Sequence, residues 1–132
     1  MSSVLVRHAS AGDRGDWAGD DRLRPLDAKG RRQAEALVEI LLPLGVGRIV
    51  SSPYVRCVQT VEPLAVALGL EVEEDDRLAE GAGHAARALL AEDGVVACTH
   101  GDVVDELLGY GLKKGAAAIF ANGGPVGTIP AP

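Results

Sequence analysis

Residues 2–10 read SSVLVRHAS. Val4, Leu5 and Val6 are apolar without alternation, so they predict a short strand covered on both faces. Two ionisable residues, Arg7 and His8, follow at once. The same form recurs along the chain. GRIVSSP (residues 47–53) and GVVACT (94–99) are apolar runs that end in small or polar residues, the second leading into His100-Gly101-Asp102. Between the runs lie stretches with helical spacing. Asp27 stands at an N-cap position ahead of Ala34, Leu37, Val38 and Leu41, and Pro43 and Gly45 end that run. In YVRCVQTVEPLAVALG (54–69) the spacing puts Val58, Val61, Ala65 and Leu68 on one face, Gly69 closes the helix, and Pro63 is expected to kink it or mark its start. LEVEED (70–75) predicts a third strand, HAARALLAED (84–93) a helix, HGD (100–102) a turn and VVDELLGY (103–110) a helix; AAAIFA and VGTI, joined by NGGP, predict a terminal hairpin. The order β-α-β-α-β-α-β-α-β(-β) points to an α/β fold, a mostly parallel sheet with helices on both faces.

The 132 residues fit one domain, 1–132, with no repeat and no linker that would divide it. Aromatics are 3% of the chain, so the core must be aliphatic. A net charge of −6 without a basic run argues against nucleic acid and against an anionic membrane as partners. The N-terminal apolar run is too short for a signal segment and no run reaches the length of a membrane span. Cys57 and Cys98 form neither a C-x-x-C pair nor a disulfide framework, and read as small core residues. A cytoplasmic protein is expected.

In such sheets ligands bind beyond the carboxyl ends of the strands. Arg7 and His8 end the first strand, Ser51 and Ser52 the second with Arg56 one turn further on, and Glu80 follows the third; Thr99, His100 and Gly101 end the fourth. The order of elements thus gathers two His, two Arg and a carboxylate at one edge. Forked guanidinium donors suit phosphoryl oxygens. One imidazole can attack phosphorus, the second can donate to an equatorial oxygen, and Glu80 can protonate the leaving oxygen and then take a proton from water. Ser51, Ser52 and Gly101 are small enough to let substrate oxygens near the backbone. The cations supply the positive charge, so no metal and no cofactor is required. A metal site at His8, His100 and Asp102 lacks any recognised ligand spacing, and no GxSxG elbow marks a serine hydrolase. His84 reads as exposed, and Lys113 and Lys114 as a solvated turn, with Lys114 able to face the crevice. The Gly- and Asp-rich loop 11–26, with Trp17, Asp20, Asp21, Arg22 and Arg24, is expected to border the opening.

LVRHASAG, RPLDAKGRRQA, IVSSPYVRCVQT, RLAEG and CTHGDVV, in that order, resemble the successive motifs of the histidine phosphatase superfamily, the phosphoglycerate-mutase-like proteins, over residues 3 to 121. The resemblance implies a three-layer α/β/α sandwich with a central, mostly parallel sheet. It implies that His8 is the phosphorylated nucleophile, that Arg7, Arg56 and His100 complete the phosphate pocket, that Glu80 is the proton donor, and that Ser52 and Thr60 support them. The length resembles the short, SixA-type phosphohistidine phosphatase branch, since the chain has no room for the insertions that cover the site in mutases. DDRLRPLDAKGRRQAEAL (20–37) is close to that branch, and the chain also resembles the phosphatase domain that some Nudix hydrolases carry. The implied activity is hydrolysis of a phosphoryl group from a phosphohistidine protein or a small phosphorylated molecule. Phosphoglycerate-mutase-type transfer and a non-catalytic phosphate-binding module are the alternatives. Two positions depart from the family: Ala9 stands where many members have Gly, and KKGAAAIF (113–120) lacks the Ser or Thr that often follows Lys-Gly.

Overall fold

A computed structural model describes residues 2–132. Six strands and four helices follow in the order β1 (Ser3–Arg7), α1 (Ala28–Leu41), β2 (Arg48–Ser51), α2 (Val55–Leu68), β3 (Val72–Glu74), α3 (Arg87–Leu90), β4 (Val95–Thr99), α4 (Gly101–Leu108), β5 (Ala117–Ala121) and β6 (Gly124–Ile129), besides short 3-10 turns. They make one sheet in the order β3-β2-β4-β1-β5-β6. β3, β2, β4 and β1 run parallel, and β5 is antiparallel to both of its neighbours.

Alternation along the strands sorts the core into two sides. Val4, Val6, Ile49, Val96 and Cys98 pack under Leu37 and Leu41 of α1 and Cys57, Val61, Leu64 and Ala65 of α2. Leu5, Val50, Val95 and Ala97 face the other way, against Leu89 and Leu90 of α3 and Val103, Val104 and Leu107 of α4. The fold is therefore the expected α/β/α sandwich with an aliphatic core. Asp27 caps α1, accepting from Gly30 N at 2.7 Å. Gly69 closes α2 at φ 68°, and Asn122-Gly123, both at positive φ, turn the terminal hairpin.

Four local readings are corrected. Pro63 does not mark the start of α2, which runs from Val55 to Leu68 with Pro63 inside it. The carbonyl of Gln59 loses a helical donor there, and burial of Cys57, Val61, Leu64 and Ala65 carries the helix across the gap. Val58 is only half-buried; the covered face is instead formed by Arg56, Cys57, Thr60, Val61, Leu64 and Ala65. Of the helix expected over 84–93, four residues are helical, because Gly81 and Gly83 at φ 80° and 63° lead into a series of tight turns. The expected turn at 100–102 is likewise the start of α4, with His100 as its N-cap residue. No helix of the described residues is long and apolar enough to cross a membrane.

Candidate active site

The register of β1 on β4 places the two central histidines together. Arg7 pairs with Thr99, and His8 N donates to Thr99 O at 3.0 Å, so the next residues, His8 and His100, leave adjacent strands side by side. Their rings meet edge to face with centroids 5.6 Å apart. β2 joins in the same way, Ser52 N donating to Cys98 O. The sheet edge opens into a cleft of about 810 Å³, lined by Arg7, His8, Arg56, Glu80, His100 and Gly101 together with residues of loop 12–24 and with Asp102, Asp105 and Lys114. The helices α2 and α4 begin at this edge, and their free N–H groups favour an anion.

His8 is buried, with 6% of its surface exposed. Its Nδ1 lies 2.8 Å from the carbonyl oxygen of Ala9. A carbonyl only accepts, so Nδ1 carries the proton and Nε2 keeps its lone pair. Burial, reinforced by the nearby charges of His100, Arg56 and Arg7, lowers the His8 pKa to about 3 despite the Ala9 bond. The imidazole is a free base at neutral pH, as a nucleophile requires.

The loop that follows His8 is held from three sides. Thr60 Oγ1 accepts from Ala9 N at 2.9 Å and donates to Arg56 O at 2.7 Å. Gln33 Oε1 accepts from Ser10 N at 2.9 Å. Asp27 accepts from Ser10 Oγ and Gly12 N at 2.8 and 3.0 Å. Gly30 is needed where the loop crosses α1, since a Cβ at that position would lie 1.9 Å from Ser10 O.

The cations differ in how they are held. Arg7 Nη1 donates to Leu112 O at 2.6 Å. A Cβ on residue 101 would lie 3.0 Å from Arg7 Cζ, so Gly101 makes room for this guanidinium. Arg56 is wholly buried. It donates from Nη1 to Asp21 O at 2.7 Å, and from Nη2 to Asp21 Oδ2 at 3.0 Å and Glu80 Oε1 at 2.8 Å. The Nε groups of Arg7 and Arg56 are buried without an acceptor. Glu80 Oε1 also accepts from Arg14 Nη2 at 2.7 Å and lies 3.5 Å from His100 Nδ1. One carboxylate oxygen thus sits where three cleft N–H groups converge.

Ser52, expected to meet phosphate oxygens, is placed behind the cleft and fully buried. Its Oγ takes the Tyr54 N–H at 3.3 Å and lies 2.8 Å from His100 Nε2. With the serine O–H given to Nε2, the His100 proton resides on Nδ1, facing Glu80. Tyr54 packs edge-on against His100, centroids 4.5 Å apart.

The sequence reading named Asp21 and Arg24 only as residues of a loop bordering the opening, and did not name Arg14. Arg24 is buried in the cleft wall, its Nη1 donating to Ala11 O and its Nε to Asp21 Oδ1 at 3.0 Å. Asp21 feels burial, which pushes its pKa up, but the bonds from Arg24 and Arg56 and the charge of Arg14 outweigh this and hold it below the usual carboxylate range. The only signal in the sequence was a loop dense in paired charges. Trp17 does not line the cleft; its Nε1 donates to Asp20 O at 2.9 Å. Among the described residues no group of three or more His, Cys, Asp or Glu is arranged to hold a metal ion.

The sequence model described as the histidine phosphatase superfamily (branch 1) matches residues 3–86. An 8-oxo-(d)GTP phosphatase of Mycolicibacterium smegmatis is 41% identical over an alignment of 120 residues that covers 84% of this chain and 37% of that protein. A probable phosphoglycerate mutase GpmB of Salmonella arizonae is 36% identical over an alignment of 85 residues that covers 61% of this chain and 38% of that protein. The chain thus spans less than two-fifths of the curated relatives it matches. Among solved structures, the protein histidine phosphatase SixA complexed with tungstate superposes with a TM-score of 0.76 at 22% identity, covering 98% of this chain and 97% of that one. A mycobacterial glucosyl-3-phosphoglycerate phosphatase superposes with a TM-score of 0.72 at 18% identity, covering 91% and 90%. These structural likenesses concern the fold.

Proposed function

The chain belongs to the histidine phosphatase superfamily, branch 1, and from that premise we propose that it is a phosphatase that works through a phosphohistidine on His8. The observation that carries the reading is the state of His8: an imidazole kept neutral, with Nδ1 engaged and Nε2 free, among Arg7, Arg56 and His100. The two unpartnered buried Nε groups of Arg7 and Arg56 lie in side chains that line the same cleft, which suits an oxyanion.

In the first step the Nε2 lone pair of His8 forms a bond to phosphorus while the bond from phosphorus to the leaving oxygen breaks. Glu80 in its acid form gives that oxygen a proton. The Nδ1–H bond to Ala9 O stabilises the cationic phosphoimidazole. Arg7, Arg56 and His100 take the equatorial oxygens, whose charge is spread in the transition state. In the second step water attacks phosphorus, the P–N bond breaks, its electrons return to His8, and the Glu80 carboxylate takes the proton of the water. The two arginines supply the positive charge this chemistry needs and His100 adds an N–H donor, so the steps call for no metal or cofactor.

The open cleft favours hydrolysis over mutase-type transfer, because water reaches the phosphoenzyme. Its volume of about 810 Å³ accommodates a phosphorylated small molecule. Similarity to the 8-oxo-(d)GTP phosphatase puts nucleotides first among these, and the SixA-like fold makes a phosphohistidine protein the other substrate class. The purified chain should hydrolyse an aryl phosphate, and a panel of nucleotides, sugar phosphates and a phosphohistidine protein should rank the classes. Turnover by His8→Ala at the wild-type rate would refute the mechanism. Phosphate binding without turnover on any member would favour a binding module, and sustained phosphoglycerate isomerisation without net hydrolysis a mutase.

A further inference from the structure

We propose that Asp21, on the loop between β1 and α1, is a positioning residue that sets the arginines of the phosphate pocket, an inference that rests on the phosphatase reading above. Four contacts to three arginines converge on this one residue. Its backbone oxygen takes Arg56 Nη1 at 2.7 Å and its Oδ2 takes Arg56 Nη2 at 3.0 Å. Both ends of the Arg56 fork are therefore held by one residue, which fixes the place and the direction of the guanidinium. Oδ1 takes Arg24 Nε at 3.0 Å, and Arg14 Nη2 lies 3.4 Å from Oδ2.

The arrangement separates two carboxylates that look alike in sequence. Glu80 touches Arg56 through a single oxygen on Nη2. A phosphoryl oxygen can take that place by displacing one contact. Asp21 grips Arg56 partly through its backbone, and its other carboxylate oxygen is committed to Arg24. It stays when the anion enters. Arg56 is wholly buried, so its charge needs a permanent counter-ion as well as an exchangeable one. Asp21 is that permanent partner, and it couples loop 12–26 to the pocket.

The test compares Asp21→Asn with Asp20→Asn. Asp20 lies in the same loop and caps the 3-10 turn Asp21–Leu23 by accepting from Arg22 N, but it touches none of the cleft arginines. Orthovanadate inhibition of aryl phosphate hydrolysis reads the pocket directly. Asp21→Asn should weaken vanadate at least about tenfold and raise KM more than it lowers kcat, as loss of a charge-assisted fork predicts. Asp20→Asn should stay within about twofold of wild type on both measures, because asparagine caps as well as aspartate. Asp21→Glu, which restores the charge one methylene away, should fall between. Vanadate affinity of Asp21→Asn within twofold of wild type would overturn the assignment, as would an equal loss in Asp20→Asn. If Asp21→Asn does not fold, Asp21→Glu carries the test: a loss of at least about threefold supports positioning, and wild-type affinity overturns it. A wild-type protein that neither turns over aryl phosphate nor binds vanadate would instead remove the phosphatase reading itself.

Discussion

Replacing Glu80 by glutamine should tighten the binding of a phosphate mimic while slowing turnover, two changes that rarely travel together. In the free protein Glu80 Oε1 takes hydrogens from Arg14 at 2.7 Å and Arg56 at 2.8 Å, and lies 3.5 Å from His100 Nδ1. An incoming oxyanion must displace it from at least Arg56. The Arg14 pair is exposed on the cation side, with 61% of that side chain open to solvent, and contributes a few tenths of a kcal/mol at most. The Arg56 pair has a wholly buried cation and a carboxylate 29% exposed, which places it at about 1 kcal/mol after screening. Glutamine keeps the shape and loses the charge, so release becomes easier by about 1 kcal/mol and vanadate inhibition should strengthen about fivefold. The same change removes the proton donor, a role worth about 10²- to 10⁴-fold in rate. Because a nitrophenolate leaves readily without a proton and an alkoxide does not, kcat should fall far more on an alkyl phosphate than on a nitrophenyl phosphate. Steady-state kinetics on both substrates, each with vanadate titrations, measures all of this. Unchanged or weaker vanadate binding would refute the competition between Glu80 and the anion, and equal losses on the two substrates would refute proton donation.

Two other outcomes follow from the loop behind His8. Gly30→Ala puts a methyl 1.9 Å from Ser10 O and 3.1 Å from Leu26 Cβ; it should cost about 2–3 kcal/mol and lower activity with it, read as a drop in Tm and in kcat/KM, and a wild-type Tm would contradict this packing. Stability should also depend on pH through His8. Its folded pKa, about 3, lies below the ordinary 6.5, so between these values the unfolded chain binds the extra proton. The contribution is complete above 6.5 and is lost as pH falls toward 3; from pH 7 to 4.5 the loss is on the order of 2–3 kcal/mol. Denaturant unfolding at both pH values should show a smaller decline for His8→Gln than for wild type, whereas equal declines would contradict a buried neutral imidazole.

The sequence carried the fold because strand and helix differ in period. Val4–Val6, Ile49–Val50 and Val95–Cys98 are apolar without alternation, and the structure buries each of them between two helical layers. The strand-end rule then located His8, Arg56, Glu80 and His100, all of which line one cleft. Pairwise geometry was not legible. Nothing in the residue order says that Ser52 lies behind His100, because that follows from the β2–β4 register and the path of α2. Gly101 was read as space for substrate and lines the cleft, but the residue order did not show that it also makes room for Arg7 Cζ. Asp21 was one charge among many in loop 11–26, and only the folded loop brings it onto Arg56 and Arg24. Pro63 shows the converse: a strong local signal yields where Cys57, Val61, Leu64 and Ala65 bury a continuous helical face around it.

The central claim is that His8 becomes covalently phosphorylated. Rapid acid-free quenching during turnover of a labelled phosphate donor, followed by mass spectrometry of the intact chain and its peptides, tests it directly. The account predicts one phosphoryl group, labile to acid and stable to base, on the peptide that contains His8, and none on His8→Ala. Turnover with no such adduct under conditions that trap a phosphohistidine, or an adduct that persists in His8→Ala, would contradict it.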